Sequence, residues 1–192
     1  MQRLSVLNAC LATMGQKPLA SIDERHPLRA AALALLDQHN RAVQSRGWWF
    51  NRETLTISPD TDGRIILPGD CLTARARDRL LRCAARGPVL YNLSDATDQF
   101  SSSIDLSIVR LLPFEYLEEV AAQYIAYCVE REFQLTYDGD SDKQRKLAQS
   151  AADALVLLNA EETRNQPANW LDSNSKVQRV RSIVSYTRRF IR

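Results

Sequence analysis

A chain of 192 residues, 45% hydrophobic and 25% charged, can close a core of its own and needs no disulfide or metal to fold. The formal net charge of +2 is unevenly laid down: Lys176 to Arg192 carries six basic residues and no acid, which leaves 19 of the 25 basic residues and all 23 acidic ones on the body, a balance of −4. No apolar run approaches the roughly 20 residues of a membrane span, and Met1 to Gln16 is amphipathic rather than a signal peptide, so the chain is expected to be made in a cytoplasm with no membrane partner.

Leu4, Leu7, Leu11 and Met14 fall on one face, which predicts a short helix from about Ser5 to Met14, closed by Gly15. Asp23 is a candidate N-cap or turn residue before a second helix, and Pro27 suits that helix's first turn. Leu28, Ala31, Ala32, Leu35, Leu36, His39, Ala42 and Val43 recur at the three-and-four spacing of a helical face. Gly47 ends the pattern. Trp48, Phe50, Leu55 and Ile57 then suit a pleated surface, so Arg46, Gly47, Trp48, Trp49 and Phe50 form a structural corner where helix gives way to strand. Clustered aromatics at such a place fit packing better than a ligand-stacking site.

From Phe50 to Leu112 short runs rich in Leu, Ile, Val and Thr alternate with Pro, Gly, Asp and Asn punctuation. Strands are expected near Glu53–Ile57, Arg64–Leu67, Leu72–Ala76, Leu80–Ala84, Val89–Tyr91 and Ile104–Leu112. Turns are expected at Asp60–Gly63 and Ala85–Pro88. Pro113 is expected to open a third helix reaching about Tyr137, with Glu115, Glu118 and Glu119 near the positive end of its dipole. Asp138, Gly139 and Asp140 make a turn, and Ser141 or Asp142 is the expected cap of a fourth helix running from about Asp142 to Arg164.

The predicted fold class is therefore α+β: a four-helix core from residues 1–49 and 113–164, an inserted antiparallel β-rich region at 50–112, and an extended basic C-terminal arm at 165–192. In the arm, Val177, Val180 and Val184 fit a helix whereas Tyr186, Arg188 and Phe190 fit a strand, so periodicity leaves its form open. Its charge admits a solvated end, DNA-phosphate contact, or docking on a protein. Interleaved apolar residues favour docking, through Lys176, Val177, Arg179, Val180, Arg181, Ile183, Tyr186, Arg188, Arg189, Phe190 and Arg192.

Sequences that would mark catalysis are missing. There is no Gly-rich phosphate loop, no G-x-S-x-G and no H-E-x-x-H, and the only histidines are His26 and His39. Cys10, Cys71, Cys83 and Cys128 form no C-x-x-C pair, which suggests free thiols rather than a zinc or redox site. The acidic pairs Glu118 with Glu119, Glu130 with Glu132, and Asp138 with Asp140 fit helix faces and caps better than the paired carboxyls of a glycosidase. No catalytic, metal or cofactor-binding residue is expected.

Gln44-Ser45-Arg46-Gly47-Trp48 with Phe50-Asn51, preceded by Thr13-Met14-Gly15-Gln16-Lys17-Pro18, resembles the tail tubular protein A family of short-tailed phages similar to T7. Ile65-Ile66-Leu67-Pro68-Gly69-Asp70, Leu90-Tyr91-Asn92, Asp98-Gln99-Phe100 and Val109-Arg110-Leu111 follow in the same order, so the likeness spans nearly the whole chain, with fewest matches in the C-terminal third. The resemblance implies a non-enzymatic virion protein assembled in the bacterial host cytoplasm. It implies a head-to-tail adaptor, twelve copies of which form a ring between the portal protein and the nozzle (tail tubular protein B). Tail fibers would contact the ring and packaged DNA would pass nonspecifically through its lumen. The rival readings are a virion-associated polysaccharide hydrolase and a DNA-binding module acting through the basic tail.

Overall fold

The computed structural model describes residues 1–165. The helices are α1 (Arg3–Thr13), α2 (Arg29–Gln44), α3 (Glu119–Tyr137) and α4 (Ser141–Asn165). Between α2 and α3 lie the strands β1 (Arg52–Ile57), β2 (Cys71–Ala76), β3 (Cys83–Arg86), β4 (Val89–Asn92) and β5 (Ile104–Arg110). The class is α+β with antiparallel sheets.

Three helices gather around α3. Its inner face presents Ala122, Ile125, Ala126, Val129 and Phe133 to Val6, Leu7, Cys10 and Leu11 of α1 and to Ala32 and Leu36 of α2. The small residues on α3 let the neighbouring helices approach closely. α1 runs parallel to α3: the Met1 ammonium pairs with Glu119 at 3.0 Å at one end, and Lys143 Nζ donates to Thr13 O at 2.9 Å at the other. α2 runs the opposite way, so that His39 meets Glu132 at 2.7 Å. α1 and α2 also pack on each other, whereas α4 packs on α3 and hardly touches either.

Three helix boundaries differ from the expectation. Pro113 opens a single 3-10 turn, Phe114–Tyr116, and not α3 itself. Leu117 and Glu118 then return to extended backbone (ψ 149° and 139°), because Leu117 must reach the core, and α3 begins only at Glu119. At α4, Asp140 is the residue whose carboxylate accepts from Asp142 N at 2.8 Å and Lys143 N at 3.0 Å, so the cap lies one residue earlier than Ser141. Pro27 stands just outside α2, in the turn that precedes Leu28.

The β-module has its own small core of Ile65, Leu67, Ala74, Leu90, Ile104, Leu106 and Ile108. β5 is the central strand of a three-stranded antiparallel sheet ordered β1-β5-β2, and its alternating Ile104, Leu106 and Ile108 point inward. β3 and β4 form a separate hairpin closed by Gly87 and Pro88, with Arg86 opposite Val89. Gly87 at φ +60° followed by proline suits the first position of a type II′ turn.

Two expected strands are corrected. Arg64–Leu67 makes only isolated bridges, Arg64 with Gln99 and Ile66 with Val89, since Pro68 interrupts the ladder immediately after it. Leu80–Ala84 is displaced: Asp78 folds its carboxylate onto Leu80 N at 2.9 Å to make a turn, Leu80 is fully outside, and β3 starts at Cys83.

Candidate functional site

The helix-to-strand corner is where the two cores are joined. Gly47 has φ +76°, and a Cβ there would stand 2.8 Å from Val109 Cγ2 of β5, so both conformation and space require glycine. The turn sends Trp48, 2% exposed, against Ala121 of α3 and Leu158 of α4. Its indole Nε1 donates to Val43 O at 2.8 Å, which gives the buried ring a partner for its one polar atom. Arg46 lies over the ring, 4.6 Å from its centroid, and donates to Asn159 Oδ1. Trp49 and Phe50 stack edge to face with centroids 5.0 Å apart, and Glu162 of α4 receives both Trp49 N at 2.8 Å and the Arg52 guanidinium.

Beneath these rings runs a buried amide clasp. Asn51 Oδ1 accepts from Trp48 N at 2.8 Å, while its Nδ2 donates to Gln44 O at 3.1 Å and Arg110 O at 2.8 Å. Gln44 Nε2 donates to Asn40 Oδ1 at 2.8 Å and Leu112 O at 2.9 Å, and its Oε1 accepts from Leu112 N at 2.8 Å. Three buried side chains thus satisfy the backbone at the end of α2 and at the exit of β5. Each amide offers a donor and an acceptor at fixed spacing, so a shift of either backbone breaks several bonds together.

Outside the clasp, Arg110 reaches back to Asp70 with Nη2 at 2.6 Å and to Glu53 at 3.1 Å, and this hydrogen bonding to Asp70 raises its pKa further. The three residues tie β5 to β1 and to the loop before β2. Sequence reasoning singled out the aromatics and Gly47 but missed Asn40, Gln44 and Asn51 as joints. The available signal was that Ala32, Leu36, Asn40 and Gln44 recur every four residues, which lines two amides up with the buried stripe.

Most of the carboxyls weighed for catalysis are engaged by structural partners. The Glu118 side chain makes no capping hydrogen bond at the start of α3, while Glu119 pairs with Met1. Glu132 pairs with His39, whereas Glu130 faces the α1 side, where burial pushes its carboxyl up to about 7. Asp138 is held below its ordinary value by Lys143 at 2.7 Å, and Asp140 by the amides it caps. A recess of about 490 Å³ in the β-module is lined by Asp78, Asp95 and Asp105, but Asn92 donates to Asp95 and Thr56 to Asp105. These carboxylates serve turns and cross-strand pairs.

His26 Nδ1 accepts from Leu28 N at 3.2 Å, and the cysteines are free thiols, with burial pushing Cys10 up to about 12. Among the described residues no group of three His, Cys, Asp or Glu side chains is placed to hold a metal ion, and no helix is long and apolar enough to cross a membrane. The residues expected to dock a partner, from Lys176 to Arg192, lie outside the described residues.

Comparison with known proteins follows the same extent as the motifs. The family model described as tail tubular protein matches residues 4–179. The chain is 28% identical over 166 residues to tail tubular protein A of Klebsiella phage KP34, covering 86% of this chain and 89% of that protein. The chain belongs to the tail tubular protein family, and it is a structural protein of a phage tail, located in the virion.

Proposed function

We propose that the protein is the head-to-tail adaptor of its virion, a ring of twelve copies seated between the portal protein and the nozzle, with DNA passing through its lumen. The observation that carries this reading is the family match across residues 4–179, which takes in the helical body, the β-module and the start of the basic arm. The subunit's construction supports it: two modules with separate cores, joined by a hydrogen-bonded clasp, suit a part that must hold two neighbours at a fixed angle. In this reading the helical body builds the ring wall and the β-module projects toward the nozzle and tail fibers. The arm from Lys176 to Arg192 docks on the portal or on the next subunit. DNA contact from the lumen is nonspecific and falls with salt. Assembly takes place in the host cytoplasm, and the isolated chain is largely monomeric, closing into a ring on the portal.

The test is native mass spectrometry of the chain alone and after mixing with its virus's portal assembly, repeated with a chain ending at Ser175. Portal-dependent addition of about twelve copies, weakened by the truncation, is the expected outcome. A portal that stays intact yet gains no copies contradicts the reading.

A further inference from the structure

The helical body carries a basic, apolar-floored groove on one side and an acidic-flanked aromatic knob on the other, and we propose that the knob of one copy seats in the groove of the next. This rests on the ring reading and specifies the contact that would build the ring. The groove exists because α2 and α4 part company above α3, leaving a recess of about 340 Å³. Val43, Trp48, Tyr124 and Leu155 line it, and Arg46 and Arg131 stand at its edge. Both arginines are exposed, and neither forms an ion pair with any described residue. The floor already buries an indole, so an aromatic ring entering it removes apolar surface on both sides from water.

The knob is Tyr116. It is 78% exposed at the end of the 3-10 turn before α3, and its phenol has no hydrogen-bond partner among the described residues. Exposed Glu115 and Glu118 flank it. Fixed between buried Phe114 and Leu117, Tyr116 is held outward on a rigid backbone, so it loses little freedom on docking.

Knob and groove lie on different sides of one chain. Tyr116 neighbours the start of α1, where Met1 pairs with Glu119 and Arg3 feels the charge of Glu115, whereas the groove opens where α2 and α4 separate. The contact is therefore head-to-tail, the kind that generates closed rings when the rotation between copies closes. Charge fits in the same register: two carboxylates beside the ring meet two guanidiniums at the groove's edge, favouring encounter and orientation.

A photo-crosslinking benzophenone amino acid placed at position 116 tests the contact in the full chain, both alone at high concentration and bound to portal. The expected product is a crosslink between copies, mapped by peptide mass spectrometry to α2, α3 or α4 residues of the groove. Reversing Arg46→Glu with Arg131→Glu should lower its yield at least tenfold, as should Glu115→Arg with Glu118→Arg. Combining all four reversals in one chain should restore it. Thermal melting checks that these surface variants remain folded. Crosslinks that map elsewhere, their absence in both conditions, or reversed variants that crosslink as the parent does would each overturn the contact. Portal recruitment without this crosslink would leave the adaptor reading standing, whereas the crosslink without portal recruitment would sink the adaptor reading alone.

Discussion

The helical body and the β-module are stabilised by different means. The body closes a continuous core around α3, with Leu7, Leu11, Leu36, Ile125 and Phe133 fully buried. The module has one three-stranded sheet and one hairpin around a core of seven buried residues, and it leaves Ile66, Leu80 and Leu93 exposed. A sheet so small gains much of its order from what it is attached to. The difference teaches that the junction, more than either core, sets the angle between modules. The proposed adaptor role, fixing two neighbours relative to each other, would depend on that angle.

The comparison can be broken at the corner most severely by Trp48→Ala. Removing a fully buried indole between α3 and α4 should cost about 4 kcal/mol, seen as a lowered unfolding midpoint in urea and early proteolysis at α4. Asn51→Ala should cost about 3 kcal/mol, because Trp48 N, Gln44 O and Arg110 O lose buried partners. Its signature is specific. Hydrogen exchange in β1 and β5 should quicken while α1 and α3 stay protected, uncoupling the module from the body.

A third change sharpens the body's side of the comparison. Glu130 carries a carboxyl raised from 4.5 to about 7 by burial, so the unfolded chain ionises first as pH rises. The contribution of Glu130 to stability should be greatest below pH about 4.5, fall as pH climbs to about 7 and level off above it. Glu130→Gln removes the burial penalty. It should raise stability by about 2 kcal/mol at pH 8 and leave it unchanged near pH 4, measured by chemical denaturation at each pH.

The smallest effect belongs to the α4 cap. Asp140 is held below its ordinary value of 3.8, so its contribution is present at neutral pH and is lost as acid protonates it. Asp140→Asn should barely move the neutral melting temperature and should flatten the decline of the wild type below pH about 4.

Much of this architecture was legible in the residues, for identifiable reasons. Periodicity located the helices because their apolar faces meet a single core. Gly47 marked the corner because a positive φ leaves few alternatives. Arg64–Leu67 resembles a strand because Ile65 and Leu67 alternate with outward residues, and it does exchange backbone bonds with the start of β4, Leu67 N to Pro88 O at 2.8 Å and Leu90 N to Ile65 O at 3.0 Å, but Pro68 stops the pairing short of a continuous ladder. Leu80 misled because an apolar side chain counted toward a strand although Asp78 turns the backbone. The clasp was hidden for a deeper reason: Gln44 and Leu112 are 68 residues apart, and no local pattern pairs an amide with a distant backbone. Tyr116 falls within the predicted third helix because Pro113 and the glutamates imitate an N-terminus that the 3-10 turn does not continue.

Electron cryomicroscopy of the chain bound to its portal tests the central claim most directly, since it reads copy number and orientation together. The account predicts a twelve-fold ring whose wall is the helical body, with the β-module at the end away from the portal. A portal decorated without a closed ring, or a ring with the β-module turned toward the portal, would contradict it.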